Sequence, residues 1–216
     1  MNNEFSVVYR HSDFVIIDKP AGVSVHRDEQ AVGLTEKVAN QLGVEKVWLV
    51  HRLDKITSGL LILALSKTAA VYFYELFEQH QIQKIYLALA IQKPKKKQGK
   101  IIGDMVRTRN GAWKLCQSRV QPAITQFISY SLEPNLRLFI LQPKTGKTHQ
   151  LRVAMKSLGS PILGDMLYGG KLVDRVYLHA YKLIFNYGSE QIIVERFPKM
   201  GEMWHKISEI ALDQIL

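Results

Sequence analysis

The chain has 216 residues, 47% hydrophobic and 22% charged, which suits a globular protein long enough to bury a core in one domain or in two small halves around a shared one. Its 29 Lys and Arg against 19 Asp and Glu leave a formal charge of +10, an excess that points to a polyanionic partner. A single cysteine, Cys116, excludes an intramolecular disulfide and a cysteine-cluster metal site and fits a reducing compartment.

The start, MNNEFSVVYRHSDF, has no basic segment followed by an apolar run, so no signal peptide is expected. FSVVYR and FVIIDK read as strands, being rich in Val, Ile and Phe, and KPAG after them reads as a turn. LTEKVANQLG is a predicted short helix: Leu34, Val38 and Leu42 recur every four residues and Gly43 stops it. WLVHRLDK leads into GLLILALS, a nearly all-apolar strand expected to be buried on both faces. Its run from Leu60 to Leu65 is far too short to cross a bilayer, so no membrane contact is expected and a cytoplasmic location is. Thr68 is placed to cap the helix AAVYFYELFEQH, whose apolar face carries Ala69, Tyr72, Phe73, Leu76 and Phe77.

KIYLALAIQ is another predicted strand, and the polar, basic segment from Pro94 to Gly111 is expected to be loop-rich. AITQFISYS and LRLFILQP read as a hairpin through Glu133-Pro134-Asn135. A helix is expected to begin near Thr148. YLHAYKLIF and QIIVERF read as a second hairpin through Asn186-Tyr187-Gly188-Ser189, and EMWHKISEIALDQIL as an amphipathic terminal helix. Many strands, few helices and hairpin connections predict an α+β fold on a mixed, mostly antiparallel sheet, with residues 1–216 as one domain.

The basic charge is unevenly spread. From Lys93 to Arg119 nine basic residues, Lys95, Lys96 and Lys97 among them, stand against one acid, Asp104, a pattern suited to nucleic acid. The string PKTGKTHQLR ends like a phosphate-binding P-loop, but Leu141 stands where that loop needs glycine, and Pro143 has no N–H to give a phosphate. On the helix that follows, Leu151, Met155 and Leu158 form one face, and His149, Arg152 and Lys156 another. His149 and Arg152 can therefore aim together at a carboxylate or a phosphate.

HRLDKITSG sets His51, Arg52, Asp54 and Lys55 directly before the apolar strand. Catalytic groups are often placed on such loops at the edge of a rigid sheet, and Asp54 can act there as nucleophile or acid/base, or simply pair with Arg52 or Lys55. His51, His149 and His179 lack ligand spacing, no second acid pairs with Asp54 as in a glycosidase, and no G-x-S-x-G elbow exists.

At these residues the chain resembles the RluA-type pseudouridine synthases, which isomerise uridine to pseudouridine within structured RNA. The resemblance runs in order through VIIDKPAGVSVH, HRLDKITSGLLILALSK, Phe77 with KIYLAL, TGKTHQLRVAMKSLGSPILGDMLYG and LHAYKLIF. It implies the pseudouridine synthase fold, a sheet in two halves with flanking helices and a central RNA-binding cleft. It also implies Asp54 as catalytic aspartate, Tyr86 stacked on the target base, and Arg152 ion-paired with Asp54. Arg52 would take the place of the flipped-out nucleotide or bind its phosphate. Leu178 would wall the uracil pocket, and His51, Lys147 and His149 would contact RNA; Lys95 to Lys97 are expected to do so by the charge of their segment.

Three positions depart from the family pattern: Lys147 stands for a usual arginine, Ala154 for a histidine and Ile56 for an aspartate. An S4 RNA-binding domain, present in many relatives, is not expected, because the first motif starts by about Val15. RNA binding is therefore assigned to the catalytic domain. Isomerisation exchanges no electrons and no external group, so no cofactor or metal is expected, and neither is a protein partner; a monomer is the default. A non-catalytic RNA-binding protein of this fold would share the charge, but it would have no need for Asp54, Tyr86 and Arg152.

Overall fold

The structure is a computed structural model that describes residues 5–25 and 33–207, together with Leu212. In chain order the strands and helices are β1 (Ser6–Arg10), β2 (Phe14–Lys19), α1 (Leu34–Leu42), β3 (Trp48–Leu49), β4 (Ser58–Ala64), α2 (Lys67–Glu78), β5 (Gln83–Ala90), β6 (Gln98–Gly103), β7 (Met105–Arg107), β8 (Trp113–Leu115), β9 (Ala123–Glu133), β10 (Leu136–Pro143), α3 (Gln150–Ser157), β11 (Leu178–Tyr187) and β12 (Glu190–Glu195). They form two compact units, Met1–Gln83 with Ala180–Arg196, and Lys84–His179 with Phe197–Leu216.

In the first unit the strand order is β1-β2-β4-β11, with β12 against β11 and the two-residue β3 against β4. All seven residues of β4 are buried, as its unbroken apolar run requires of a central strand. The register sets Ile16 beside Ile62 and Phe14 beside Ala64. Strand side chains alternate between faces, so Phe14, Ile16, Leu60 and Ile62 gather on one face, where Phe73 and Leu76 of α2 pack on them with Phe185 and Val194. Gly59 follows from the same packing: its φ is 111°, and a Cβ there would collide with the Ala180 carbonyl of the adjoining β11.

The cap of α2 corrects the sequence reading. Ser66, not Thr68, is the N-cap: its backbone is extended at φ −141° and its hydroxyl accepts the Ala69 N–H. A capping side chain must sit on the last non-helical residue, and Thr68 already lies inside the helix. Ser66→Ala is expected to cost about 1 kcal/mol and Thr68→Ala clearly less, measured by urea unfolding. Equal losses would remove the cap assignment.

The second unit contains an antiparallel sheet in the order β5-β10-β9-β6 and a separate two-stranded ribbon of β7 and β8. The predicted β9–β10 hairpin forms, and Asn135 takes its left-handed position at φ 58°, a conformation asparagine tolerates. The segment from Pro94 to Gly111 is not loop-rich: it holds β6, β7 and a 3-10 turn at Arg109–Gly111. Local polarity concealed β6 because this edge strand is held by β9, a non-local partner.

The helix expected from Thr148 starts at Gln150, since His149 takes a left-handed φ of 56° and ends the loop instead. The β11–β12 hairpin closes more tightly than expected, with only Gly188 and Ser189 between the strands. Of the predicted terminal helix, the structure describes a 3-10 turn at Trp204–Lys206; apart from Leu212, residues 208–216 lie outside the described residues.

Candidate active site

Asp54 belongs to the first unit, on the loop that enters β4. Its setting explains the neighbouring polar string. Leu53 is 4% exposed and anchors the loop, while Arg52 and Lys55 are exposed and Asp54 is half-buried. The backbone is tied on both sides: the Asp54 carbonyl accepts the Thr57 N–H at 3.0 Å, and the Lys55 carbonyl accepts the Gly22 N–H at 2.7 Å.

Lys19, fully buried, reinforces this tie. Its ammonium donates to the carbonyls of Pro20 and Val23 at 2.9 Å and to that of Lys55 at 3.4 Å. A buried charge is tolerated only when hydrogen-bonded in this way. The KPAG turn is thereby fastened to the loop of Asp54. Lys19→Ala is expected to cost on the order of 2–3 kcal/mol through unsatisfied carbonyls. A loss below about 0.5 kcal/mol by denaturant unfolding would refute the tie.

His51 has a structural task that its assignment to RNA did not foresee. Where β3 ends, its Nε2 accepts the Ile62 N–H of β4 at 2.9 Å, and its ring stacks on Phe77 at 4.7 Å. A nitrogen that accepts an N–H carries no proton, so the ring in this arrangement is neutral.

The second unit carries the other candidates. Tyr86 lies on β5, 9% exposed, opposite Leu141 of β10. Lys84 stands two residues earlier, on the same strand face, and donates to the Thr145 carbonyl at 3.4 Å. Burial first, and then the charge of Lys144, push the Lys84 ammonium down from 10.5 to about 8. The folded chain thus gives up this proton before the unfolded chain does. Between about pH 8 and 10.5 the unfolded state binds more protons, so folding gains stability as pH rises through that window. The wild type is expected to gain thermal stability relative to Lys84→Met over the same window. A difference that stays constant with pH would remove the effect.

His149 and Arg152 do converge, on Tyr168. His149 Nδ1 lies 2.8 Å from the Tyr168 hydroxyl, and the Arg152 guanidinium lies 4.8 Å from the centre of its ring. Arg152 is not on an exposed face. It is 6% exposed, on a helix buried from Gln150 to Met155, and Asp165 holds it in a bidentate pair: Nε to Oδ2 at 2.7 Å and Nη2 to Oδ1 at 2.8 Å. Asp165 is itself 1% exposed, and its backbone is fixed by bonds to Ile162, Tyr168 and Gly170. Gly164 before it has φ 87°, and a Cβ there would strike the Arg175 carbonyl.

Lys147 is exposed, with its N–H on the Gln150 Oε1 at 3.0 Å. Lys95, Lys96 and Lys97 expose their side chains on a tethered backbone: the Lys95 N–H donates to the Leu158 carbonyl, and the Lys97 carbonyl accepts from Ser129. Leu178, 3% exposed, opens β11. Among the described residues no group of three or more His, Cys, Asp or Glu is arranged to hold a metal ion, and no helix is long and apolar enough to cross a membrane.

A family model for RNA pseudouridylate synthase matches residues 13–157, a span holding Asp54, Tyr86 and Arg152. The chain belongs to the RNA pseudouridine synthase family. It is 64% identical to a protein of Haemophilus influenzae named as an RNA pseudouridine synthase, over 94% of this chain and 92% of that one. It is 32% identical to the ribosomal large subunit pseudouridine synthase C of Rickettsia bellii, over 89% of this chain and 68% of that one. A third relative is the tRNA pseudouridine synthase C of Haemophilus ducreyi, 33% identical over 85% and 86% of the two chains. Among solved structures, the human RNA pseudouridylate synthase domain containing 4 is similar with a TM-score of 0.76 and 28% identity, covering 93% of this chain and 90% of that one. The α+β architecture is that of pseudouridine synthase domains, and the chain is an RNA pseudouridine synthase, an isomerase.

Three residues of this synthase escaped the sequence reading: Lys19, Asp165 and Tyr168. Asp165 left a signal, an acid set between Gly164 and the apolar Met166-Leu167. Such an acid either faces solvent or pairs with a buried cation, and only the fold shows which.

Proposed function

We propose that this synthase isomerises a specific uridine in structured RNA, ribosomal or transfer, with Asp54 as its catalytic carboxylate and without a cofactor. The observation that carries the reading is the setting of Asp54: half-buried on a loop tied through the Thr57 and Gly22 N–H groups and the Lys19 ammonium. A rigid loop of this kind holds a reacting group in place without reorganisation. The target base must leave its stack, at a cost of a few kcal/mol, which phosphate contacts from the basic residues offset. Arg52, Lys147, His149 and Lys95 to Lys97 are proposed for such contacts.

Tyr86 gives the extruded uracil a π-face, and Leu178 supplies an apolar wall. The N1–C1′ bond breaks, the uracil turns, C5 joins C1′, and the C5 proton is lost while N1 regains one. Asp54 acts as the ionised carboxylate, either adding to sugar or base or taking a sugar proton. Arg152, two of whose five donors are engaged by Asp165, is proposed as its cationic partner.

Pseudouridine mapping of total RNA from cells with the active chain, without it, and with an inactive variant tests this reading. One or a few uridines in ribosomal or transfer RNA are expected to lose modification in the last two. Unchanged maps in all three would overturn it.

A further inference from the structure

An open groove of about 540 Å3 in the second unit is lined by Asp104, by Met105 and Trp113 of the basic ribbon and by Gly146, Lys147 and Thr148 of the loop before α3. Its volume falls in the range that takes a small molecule or one nucleotide, roughly 300–1,000 Å3. Of its lining residues only Lys147 has been given a role above, in phosphate contact; Trp113 and Met105 have none.

The two walls differ in chemistry, and both are braced. On the ribbon side, the Trp113 N–H donates to the Tyr168 hydroxyl at 3.0 Å, and Tyr168 is 2% exposed. Strand β8 is thereby pinned to the buried layer that holds Arg152, while the half-buried indole lines the groove. On the loop side, the Gln150 amide is 5% exposed and bonds to Thr145, Lys147, Ile124 and Thr125. That network fixes the backbone of Lys147 and leaves its ammonium outside. Beside it, a Cβ on Gly146 would meet nothing within 4 Å, so a ligand can approach the backbone closely.

Asp104 is the opposing charge. Its carboxylate accepts the Val120 N–H at 3.0 Å and the Gln121 N–H at 2.9 Å. The Val120 N–H first, then the Ser118 hydroxyl and the Gln121 N–H, and last the Lys147 charge, hold it below the usual carboxylate range. The Lys147 ammonium therefore stands within electrostatic reach of Asp104, and a phosphate that binds it does so beside this carboxylate.

We infer that this groove is a subsite for one nucleotide of the substrate RNA other than the target uridine, with its base stacked on Trp113 and its phosphate at Lys147. Base-on-indole stacking supplies affinity that tolerates sequence, and the lysine supplies the salt-dependent part. The subsite also lies along a chain of contacts to the proposed catalytic layer: Trp113 meets Tyr168, and Tyr168 meets both His149 and Arg152. The inference rests on RNA as the substrate and is independent of the role of Asp54.

The test uses the full chain and two fluorescent probes, an oligouridylate of twelve nucleotides and the same strand with abasic nucleotides. Trp113→Ala is expected to weaken oligouridylate binding about tenfold and to leave the abasic strand unchanged, while Trp113→Phe keeps most of the affinity. Lys147→Ala is expected to weaken both probes and to lower the slope of log affinity against log salt by about 1, with Lys147→Arg restoring it. Circular dichroism confirms that each variant is folded. Wild-type affinity in Trp113→Ala, or an equal loss on both probes, overturns the subsite and leaves the RNA reading standing. Failure of the wild type to bind either probe also overturns the subsite, while the mapping of cellular RNA decides the reading of structured RNA separately.

Discussion

Replacing Asp54 with asparagine is expected to lower pseudouridine formation by about a thousandfold or more while leaving RNA affinity within about twofold. Asparagine keeps the size and the backbone of the side chain. The ties that fix the loop, from Thr57, Gly22 and Lys19, use backbone carbonyls and so survive the change. What disappears is the negative charge and the ability to add to a carbon or take a proton. An effect on turnover without one on binding is the mark of a group acting in the reaction itself. Single-turnover assays on the RNA identified by mapping, with affinity from filter binding, measure both quantities. Residual turnover within tenfold of wild type would remove Asp54 from the chemistry, and a parallel loss of affinity would make it a binding residue instead.

The second large effect is on stability. Asp165→Ala leaves the Arg152 guanidinium 6% exposed and without its bidentate partner. Removing one side of a buried pair costs about 3–5 kcal/mol, which in a chain of this length lowers Tm by about 10 °C. Removing both members of the pair should cost less, because the buried guanidinium is then taken away together with the carboxylate that holds it. Arg152→Met with Asp165→Leu is therefore expected to be more stable than Asp165→Ala alone, although inactive. Calorimetry on the three variants measures this. A double variant less stable than Asp165→Ala by the full cost of a second deletion would show that the two side chains act independently.

The same pair shows where local sequence stops being informative. Spacing placed Arg152 near the first turn of a helix with His149, and that much holds, since both side chains meet at Tyr168. Spacing also set Arg152 on a face with Lys156, but the helix is buried all round from Gln150 to Met155. Periodicity reports one apolar face; it does not report a polar partner thirteen residues onward that neutralises a charge on another. Lys19 is similar: its carbonyl acceptors include Lys55, thirty-six residues away. Ser66 differs, because a cap is a local feature: the helix begins at Lys67, one residue before Thr68, and the capping position falls on Ser66.

By itself the sequence determined the elements whose signals are local. The apolar run of β4 required a central buried strand, Gly43 ended α1, and Pro134-Asn135 closed the β9–β10 hairpin. Its ordered motifs also determined the family. The tertiary structure alone decided what depends on partners distant along the chain. It made a strand of the basic segment from Gln98 to Gly103 by pairing it with β9, gave His51 to the Ile62 N–H, and set Asp165 against Arg152. The physical reason is the same in each case. A turn or a cap is settled by backbone sterics within a few residues, whereas the environment of a buried charge or an edge strand is set by whatever the fold brings beside it.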